Sequence, residues 1–538
     1  MSRVFEGQRT FMTPLLSPIE RFIYRLVQID EKEEMNWKKY AYSLIVFNII
    51  SIVFLFLLQL LQGVLPFNPQ GLPGVRWDTA LNTAISFVTN TNWQSYAGET
   101  TMSYLTQMLG LAVQNFFSAA VGIATILVFI RGFTQKNTDN LGNFWVDVTR
   151  SVLYILLPLS VLLSILLVSQ GVVQTFDPYT TVHTLEGSTQ TIPLGPAASQ
   201  VAIKMLGSNG GGFFNANSAH PFENPNSITN FFEILSILLL PMSLVFAFGY
   251  MVRNFKQGMA IFSIMMILLL IGLGVALWAE SQPNPLIENM GVSGGNLEGK
   301  EIRFGVAESV LWGVATTAVS NGGVNSMHDS TIPLTGLVYL FNMGTGEVIF
   351  GGLGVGLAGM LFYVILTMFI AGLMIGRTPE FLGKKLGPDE MKMAIVPLIL
   401  PPAAILIFSA IALSIPAGLA GINNPGSHGL SEILYAYFSA LANNGSAFAG
   451  LSANTVFYNL TTGLGILIGR FATVIPAIAI AGSLSQKGKV PVNSASFPTT
   501  GPLFVIMVAA VIIIIGALTY FPIFALGPGL EHLLMPGR

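Results

Sequence analysis

The chain has 538 residues, of which 52% are hydrophobic and only 9% charged, against about 25% charged in a soluble domain, so lipid is the solvent for much of it. The formal net charge of −2 comes with no basic domain and no interleaving of aromatic and basic residues, which excludes a nucleic-acid partner. Cysteine is absent, which excludes disulfides, thiolate metal sites and thiol catalysis.

Residues 1–39 carry Arg3, Arg9, Arg21, Arg25, Lys32, Lys38 and Lys39 and lack the continuous apolar core of a secretory signal. Within them, Ser17-Pro18-Ile19-Glu20 has the form of a helix start, with Pro18 at the first position and Glu20 closing a capping box. Ile19, Phe22, Ile23, Leu26 and Val27 then share one face. That suits an amphipathic helix lying on the membrane surface, or a short helix packed on other protein.

Stretches at 41–75, 100–130, 151–170, 257–279, 348–376, 433–469 and 491–530 contain no Asp, Glu, Lys or Arg. Each has room for the roughly 20 apolar residues of a spanning helix. Nine spans are expected, near 40–62, 103–131, 150–170, 228–251, 259–280, 348–375, 394–415, 455–483 and 502–526. Lys136, Arg150, Arg253, Lys256, Arg377, Lys384, Lys385, Lys392, Lys487 and Lys489 fall on the same side as the N-terminal charges, with Arg131 at that edge. The other side holds only Arg76, Lys204, Lys300, Arg303 and Arg538, so the N-terminus is expected in the cytoplasm and the C-terminus outside.

After spans one, three, five and seven comes a shorter apolar stretch of about 10–15 residues, too short to cross and suited to a re-entrant half-helix. Each ends at a polar turn: Thr89-Asn90-Thr91-Asn92, Ser208-Asn209-Gly210-Gly211, Ser320-Asn321-Gly322-Gly323 and Asn443-Asn444-Gly445-Ser446. Asn90, Asn209, Asn321 and Asn444 lie 119, 112 and 123 residues apart. One Asn-Gly pair signals no more than a turn; four at a near-regular interval signal an internal repeat. The fold class expected is an all-α polytopic membrane protein. Four pseudo-symmetric span–pore-loop–span repeats (40–131, 150–251, 259–375 and 394–483) surround a central pore, after a 1–39 cytoplasmic segment and before one extra span at 502–526.

A potassium filter replaces the ion's hydration shell with backbone carbonyls. Aiming successive carbonyls one way needs backbone angles that glycine tolerates and β-branched residues resist. Half-helices pointing their C-terminal, negative dipole ends inward favour a cation without a ring of carboxylates, and none of the four turns contains Asp or Glu. The sixteen turn residues are therefore the candidate ion site, with K+ held by backbone carbonyls.

Residues 89–96 (TNTNWQSY), 207–217 (GSNGGGFFNAN), 220–225 (HPFENP), 369–380 (FIAGLMIGRTPE) and 443–452 (NNGSAFAGLS) closely resemble the KdpA family, the potassium-transporting A subunits of bacterial Kdp complexes. The resemblance runs from about Met35 to the C-terminus. It implies a channel-like subunit related to Trk and Ktr potassium transporters, working with a P-type ATPase catalytic subunit (KdpB-like) and with KdpC-like and small KdpF-like subunits. The setting it implies is a bacterial or archaeal plasma membrane. Family members usually open with a further apolar span, making ten; this chain opens on its charged segment and shows nine. It also has Thr91 where the other turns have glycine, as the family does, so fourfold symmetry is expected to be approximate.

Gln94, just past the first turn, is placed to set the filter entrance, or to serve as an ordinary loop amide. Arg470 lies mid-span and suits an electrostatic barrier or gate below the filter, or a structural ion pair. The glycine run around Gly352 and Gly354 suits a gating loop or close helix packing. His328-Asp329 has no nucleophile motif or metal-ligand spacing beside it. No phosphate-cradling loop of the Walker type appears, so ATP coupling is expected from another chain. The alternatives are a self-sufficient potassium channel or cation-coupled transporter and, from a different class, an intramembrane enzyme, against which the lack of paired catalytic groups in the spans counts.

Overall fold

The computed structural model describes residues 1–292, 295–346, 348–490 and 497–535; Arg538, counted above on the outer side, lies outside them. Among the described residues nine helices are long and apolar enough to cross a membrane: Trp37–Val64, Thr106–Thr134, Phe144–Ser169, Ser227–Met251, Phe255–Ser281, Val355–Met374, Pro388–Ser414, Val456–Gln486 and Pro502–Leu534. They answer one for one to the expected spans and make this a mostly helical, multi-pass membrane protein. The first span shows how the chain divides its apolar side chains. Ile49, Ile50, Val53, Phe54 and Leu57 stay exposed, while Leu44, Leu55, Leu58 and Gln59 turn inward. A helix apolar on every side suits a lipid-facing position.

The eighth span is the longest single helix, at 31 residues, and packs against the second span, the seventh span and the first half-helix. Its small residues permit that. A Cβ at Gly469 would stand 2.8 Å from the carbonyl carbon of Leu441, the last residue of a half-helix, so only glycine allows these two backbones to meet.

The half-helices are Trp77–Val88, Ala197–Leu206, Gly305–Val319 and Ser427–Leu441. At 1.5 Å per residue the longest of them, 15 residues, covers about 22 Å, short of the roughly 30 Å hydrocarbon core. Each enters, ends at its turn, and hands the chain to an irregular segment before the next span.

Two expectations are corrected. The sixth span begins at Val355 rather than near 348, because Gly346, Phe350, Gly351 and Gly354 all take positive φ and break the helix. A separate buried helix, Pro333–Gly344, precedes that break and was not foreseen. The N-terminal helix runs Thr13–Val27 with Pro14 in its first turn, so Pro18 lies inside it and Ser17 is no cap. One side of it packs on protein and the other stays open. Leu15, Ile19, Phe22 and Leu26 are exposed, while Glu20 on the opposite side accepts from Arg150 Nε (2.8 Å) and Tyr154 Oη (2.7 Å) of the third span. A small antiparallel hairpin, Thr180–His183 with Thr189–Ile192, also escaped the sequence reading.

Candidate ion-binding site

All sixteen turn residues are buried and come together as one ring. The second turn abuts the third, since a Cβ at Gly210 would stand 2.5 Å from the carbonyl carbon of Gly322. The third abuts the fourth, with Gly445's carbonyl carbon 3.0 Å from a Cβ at Gly322. The fourth abuts the first, with Thr91's carbonyl carbon 2.8 Å from a Cβ at Gly445. Asn90 closes the circle, donating through Nδ2 to Ser208 O (2.8 Å) and receiving Asn209 Nδ2 on its Oδ1.

The structure moves the first turn one residue relative to the sequence alignment. Thr91 N donates to Ser86 O, five residues back, as Asn209 N does to Lys204 O, Asn321 N to Thr316 O and Asn444 N to Ser439 O. Thr91 therefore stands where the others have asparagine, and Asn92 stands where they have glycine. The backbone angles agree: φ is positive at Asn92 (54°), Gly210 (85°), Gly322 (81°) and Gly445 (91°), and one position earlier but one at Asn90, Ser208, Ser320 and Asn443. The reason is steric. A β-branched threonine resists positive φ, whereas asparagine is the best substitute for glycine there. Asn115 Oδ1 holds Asn92 Nδ2 at 2.6 Å in that conformation.

The asparagine amides stitch turns together. Asn321 Nδ2 donates to Lys204 O and Asn444 Nδ2 to Thr316 O, both at 3.0 Å, each reaching the closing turn of the preceding half-helix. Asn443 Nδ2 donates to Thr91 Oγ1 (3.0 Å), and Trp312 Nε1 to Gly323 O (2.7 Å). By contrast, among the described residues no protein donor reaches the four equivalent carbonyls of Thr91, Asn209, Asn321 and Asn444. Unpaired buried carbonyls are costly. Four of them, at the C-terminal ends of four helices, make a site suited to a weakly hydrated cation.

Gln94 braces the rim. It accepts from Gly212 N (2.8 Å) and donates to Gly212 O (2.9 Å), tying the first loop to the second as a strand pairs. Beneath the ring, Arg470 is 3% exposed and donates from Nη2 to Ser118 O (3.2 Å). Ser118 Oγ lies 2.8 Å from Asn90 Oδ1 and receives Asn209 Nδ2 at 3.1 Å. One turn further along the same span, Gly122 packs against Leu353 and Gly354. Arg470 and Gly354 thus meet the same short stretch of the second span. Gly352 is buried one step away and accepts from Gly356 N (2.9 Å), starting the sixth span. A narrow cavity beneath the fourth turn is lined by Asn443, Gly346, Gly359, Pro401, Gly469 and Thr473.

Sequence reasoning passed over Ser118, Asn115 and Lys204, which hold the ring from outside the turns. The signal for the first two was three polar residues, Gln114, Asn115 and Ser118, inside a charge-free span. It also missed the cluster of Asp329, His428 and Glu432, whose side-chain ligand atoms lie within 4.8 Å of one another. There His428 Nε2 meets Asp329 Oδ1 (2.8 Å) and Nδ1 meets Glu531 Oε1 (2.6 Å). Burial works against the charge on His428, but the two carboxylates outweigh it and raise its pKa to about 10.

Nine spanning helices among the described residues, with four half-helices whose turns meet in one ring, define a helical membrane protein of pore-loop architecture. The crystal structure of the potassium transporter TrkH from Vibrio parahaemolyticus superposes with a TM-score of 0.52 over 79% of this chain and 82% of that one, at 14% identity. The sequence narrows the class. The family described as "Potassium-transporting ATPase A subunit" matches residues 1–533, upstream of Met35 as well as beyond it. The potassium-transporting ATPase potassium-binding subunit of Pseudomonas putida is 56% identical over 99% of this chain and 94% of its own length. That of Methylorubrum extorquens is 56% identical over 99% and 93%, and that of Pseudomonas aeruginosa 54% over 99% and 94%. This chain belongs to the KdpA family.

Proposed function

We propose that this chain is the potassium-binding and translocating subunit of an ATP-driven potassium importer. The sixteen turn residues form its selectivity filter, with Gln94 bracing the entrance and Arg470, Gly352 and Gly354 forming the gate beneath. K+ is the cargo and is taken from the outer side. ATP is hydrolysed by a P-type ATPase catalytic subunit, with KdpC-like and small KdpF-like subunits completing the complex in a bacterial or archaeal plasma membrane. The four repeats are the four sides of the pore. The observation that carries this reading is the ring of four equivalent buried carbonyls that no protein donor reaches among the described residues.

The test is made on the purified full chain and on the reconstituted complex. The chain alone is expected to bind K+ by calorimetry and to hydrolyse no ATP, and ATP-dependent K+ uptake is expected only with the ATPase partner. Robust, partner-independent K+ flux through the wild-type chain in liposomes overturns the coupled reading in favour of a free-standing channel. A chain that binds no K+ overturns the filter.

A further inference from the structure

The four half-helices differ in one respect that the filter reading does not use. Only the second carries a basic residue in its last turn, Lys204; the other three have none there. Its carbonyl accepts from Asn209 N (3.0 Å), Gly210 N (3.3 Å) and Asn321 Nδ2 (3.0 Å). One residue therefore fixes the second turn and reaches the third. Its aliphatic stem lies along the third turn as well, with Cε 3.3 Å from where a Cβ of Gly323 would be. An ammonium beside a cation filter opposes the ion it should hold. In surroundings of low dielectric that repulsion is poorly screened.

The structure answers that charge with two acids. Lys204 Nζ, fully buried, donates to Glu223 Oε2 (2.6 Å) and to Ser218 Oγ (2.8 Å). Ser218 Oγ in turn donates to Glu233 Oε2 (3.0 Å). Glu223 Oε1 accepts from Phe214 N (2.8 Å) in the loop behind the second turn. Glu223 and Glu233 are both 0% exposed, and Glu233 Oε1 has no hydrogen-bond partner among the described residues. One cation and two acidic residues are thus sealed together against two of the four turns.

We propose that this cluster sets the ring's affinity for K+: Lys204 is a positioning residue for the second and third turns, Glu223 cancels its charge, and Glu233 holds Ser218 against the ammonium. The proposal rests on the filter reading of the turns. A buried charge pair broken on one side is costly, whereas removing both partners together is often tolerated. That asymmetry separates an electrostatic role from a purely structural one.

The experiment measures K+ binding by calorimetry on the purified full chain, with Gly210→Ala as the control for the filter itself. Glu223→Gln keeps the acceptor for Phe214 N but frees the ammonium's charge, and is expected to weaken K+ binding about tenfold. The double variant Lys204→Met/Glu223→Gln removes both charges and is expected to return within about threefold of wild type. Glu223→Asp draws the carboxylate back from the ammonium by one methylene and is expected to weaken binding about threefold; it carries the test if Glu223→Gln does not fold. Wild-type affinity in Glu223→Gln, or in Glu223→Asp, overturns the proposal, as does a double variant no better than the single. If those variants bind as wild type while Gly210→Ala loses ion preference, only this proposal fails. If the wild-type chain binds no K+, the filter reading fails first.

Discussion

Gly210→Ala tests the ring at its tightest point of contact between the second and third turns. The added Cβ would stand 2.5 Å from the carbonyl carbon of Gly322, and closer still to Asn321 O and Gly323 N. A comfortable carbon–carbon contact is about 3.5 Å or more, so the third turn must retreat by about 1 Å. The backbone adds to this, because φ at Gly210 is 85° and a left-handed residue with a Cβ costs about 1–2 kcal/mol. Overpacking a tight site costs about 1–3 kcal/mol more. The combined strain is about 2–5 kcal/mol, and every 1.4 kcal/mol felt by the ion-bound state is tenfold in affinity. K+ binding by calorimetry should therefore weaken at least about tenfold, and the preference for K+ over Na+ should fall. Gly171→Ala is the matched control: its φ is 98° but nothing lies within 4 Å of its Cβ position, so it bears backbone strain without moving the ring. Gly322→Ala and Gly445→Ala should behave as Gly210→Ala does. If all three keep wild-type ion preference, the reasoning from backbone contact to selectivity is wrong.

Gln94→Leu removes both hydrogen bonds to Gly212, each worth about 1 kcal/mol. It should raise the K+ concentration for half-maximal uptake severalfold without changing the maximal rate; a change confined to the maximal rate would refute a role at the entrance. Arg470→Gln should loosen the link between ATP hydrolysis and K+ in the reconstituted complex, read as hydrolysis in the absence of K+, whereas unchanged K+ dependence removes Arg470 from the gate. His428, with its pKa raised to about 10, contributes stability that is fully present below its unfolded pKa of about 6.5 and is lost as pH rises through 10. Protection from hydrogen exchange at Leu530–Leu534, corrected for the base-catalysed rise of intrinsic exchange, should accordingly hold below about pH 6.5 and fall steadily from there to about pH 10, and His428→Gln should lower it most at the acid end; equal protection in the variant at pH 6 refutes the clamp.

The spans and half-helices were legible because lipid leaves the chain few options. A charge-free stretch of the right length must be helical, and a shorter one ending in Asn and Gly must turn back. The register of the first turn was legible in principle, since Thr91 was a poor candidate for positive φ. It was misread because aligning asparagine on asparagine favours side-chain identity over backbone angle. The break before Val355 showed as a glycine run, but the buried helix Pro333–Gly344 did not, because a largely apolar stretch of 12 residues fits a span's edge as well as a separate element. The His428 cluster was beyond reach, since its partners lie 99 and 103 residues away and only the closed fold brings them together. Lys204 was visible only as a charge on the outer side. Nothing local to it indicated that Glu223, 19 residues on, would fold back over it.

The ring and the broken sixth span share one support, and that bears on how the proposed gate would respond to an ion in the proposed filter. Ser118 contributes two atoms to the arrangement: its Oγ meets Asn90 and Asn209 of the ring, and its carbonyl accepts from Arg470. Gly122, one helical turn along, has no room for a Cβ because the Leu353 carbonyl of the broken segment occupies that space, and its own carbonyl fills the space where a Cβ of Gly354 would be. A displacement of 350–354 is therefore felt at Gly122 as a steric change and at Arg470 as a change in the charge's surroundings. Both effects converge on Ser118, which holds the first and second turns. The third and fourth turns are held differently, through Asn321 to Lys204 O and Asn444 to Thr316 O, and neither stitch touches the second span. Packed elements of this kind shift between discrete arrangements rather than deform smoothly. Movement of the loop beneath should consequently alter the first and second turns before the other two. The sequence departs from the glycine pattern on that same side of the ring, where Asn92 takes the place of glycine.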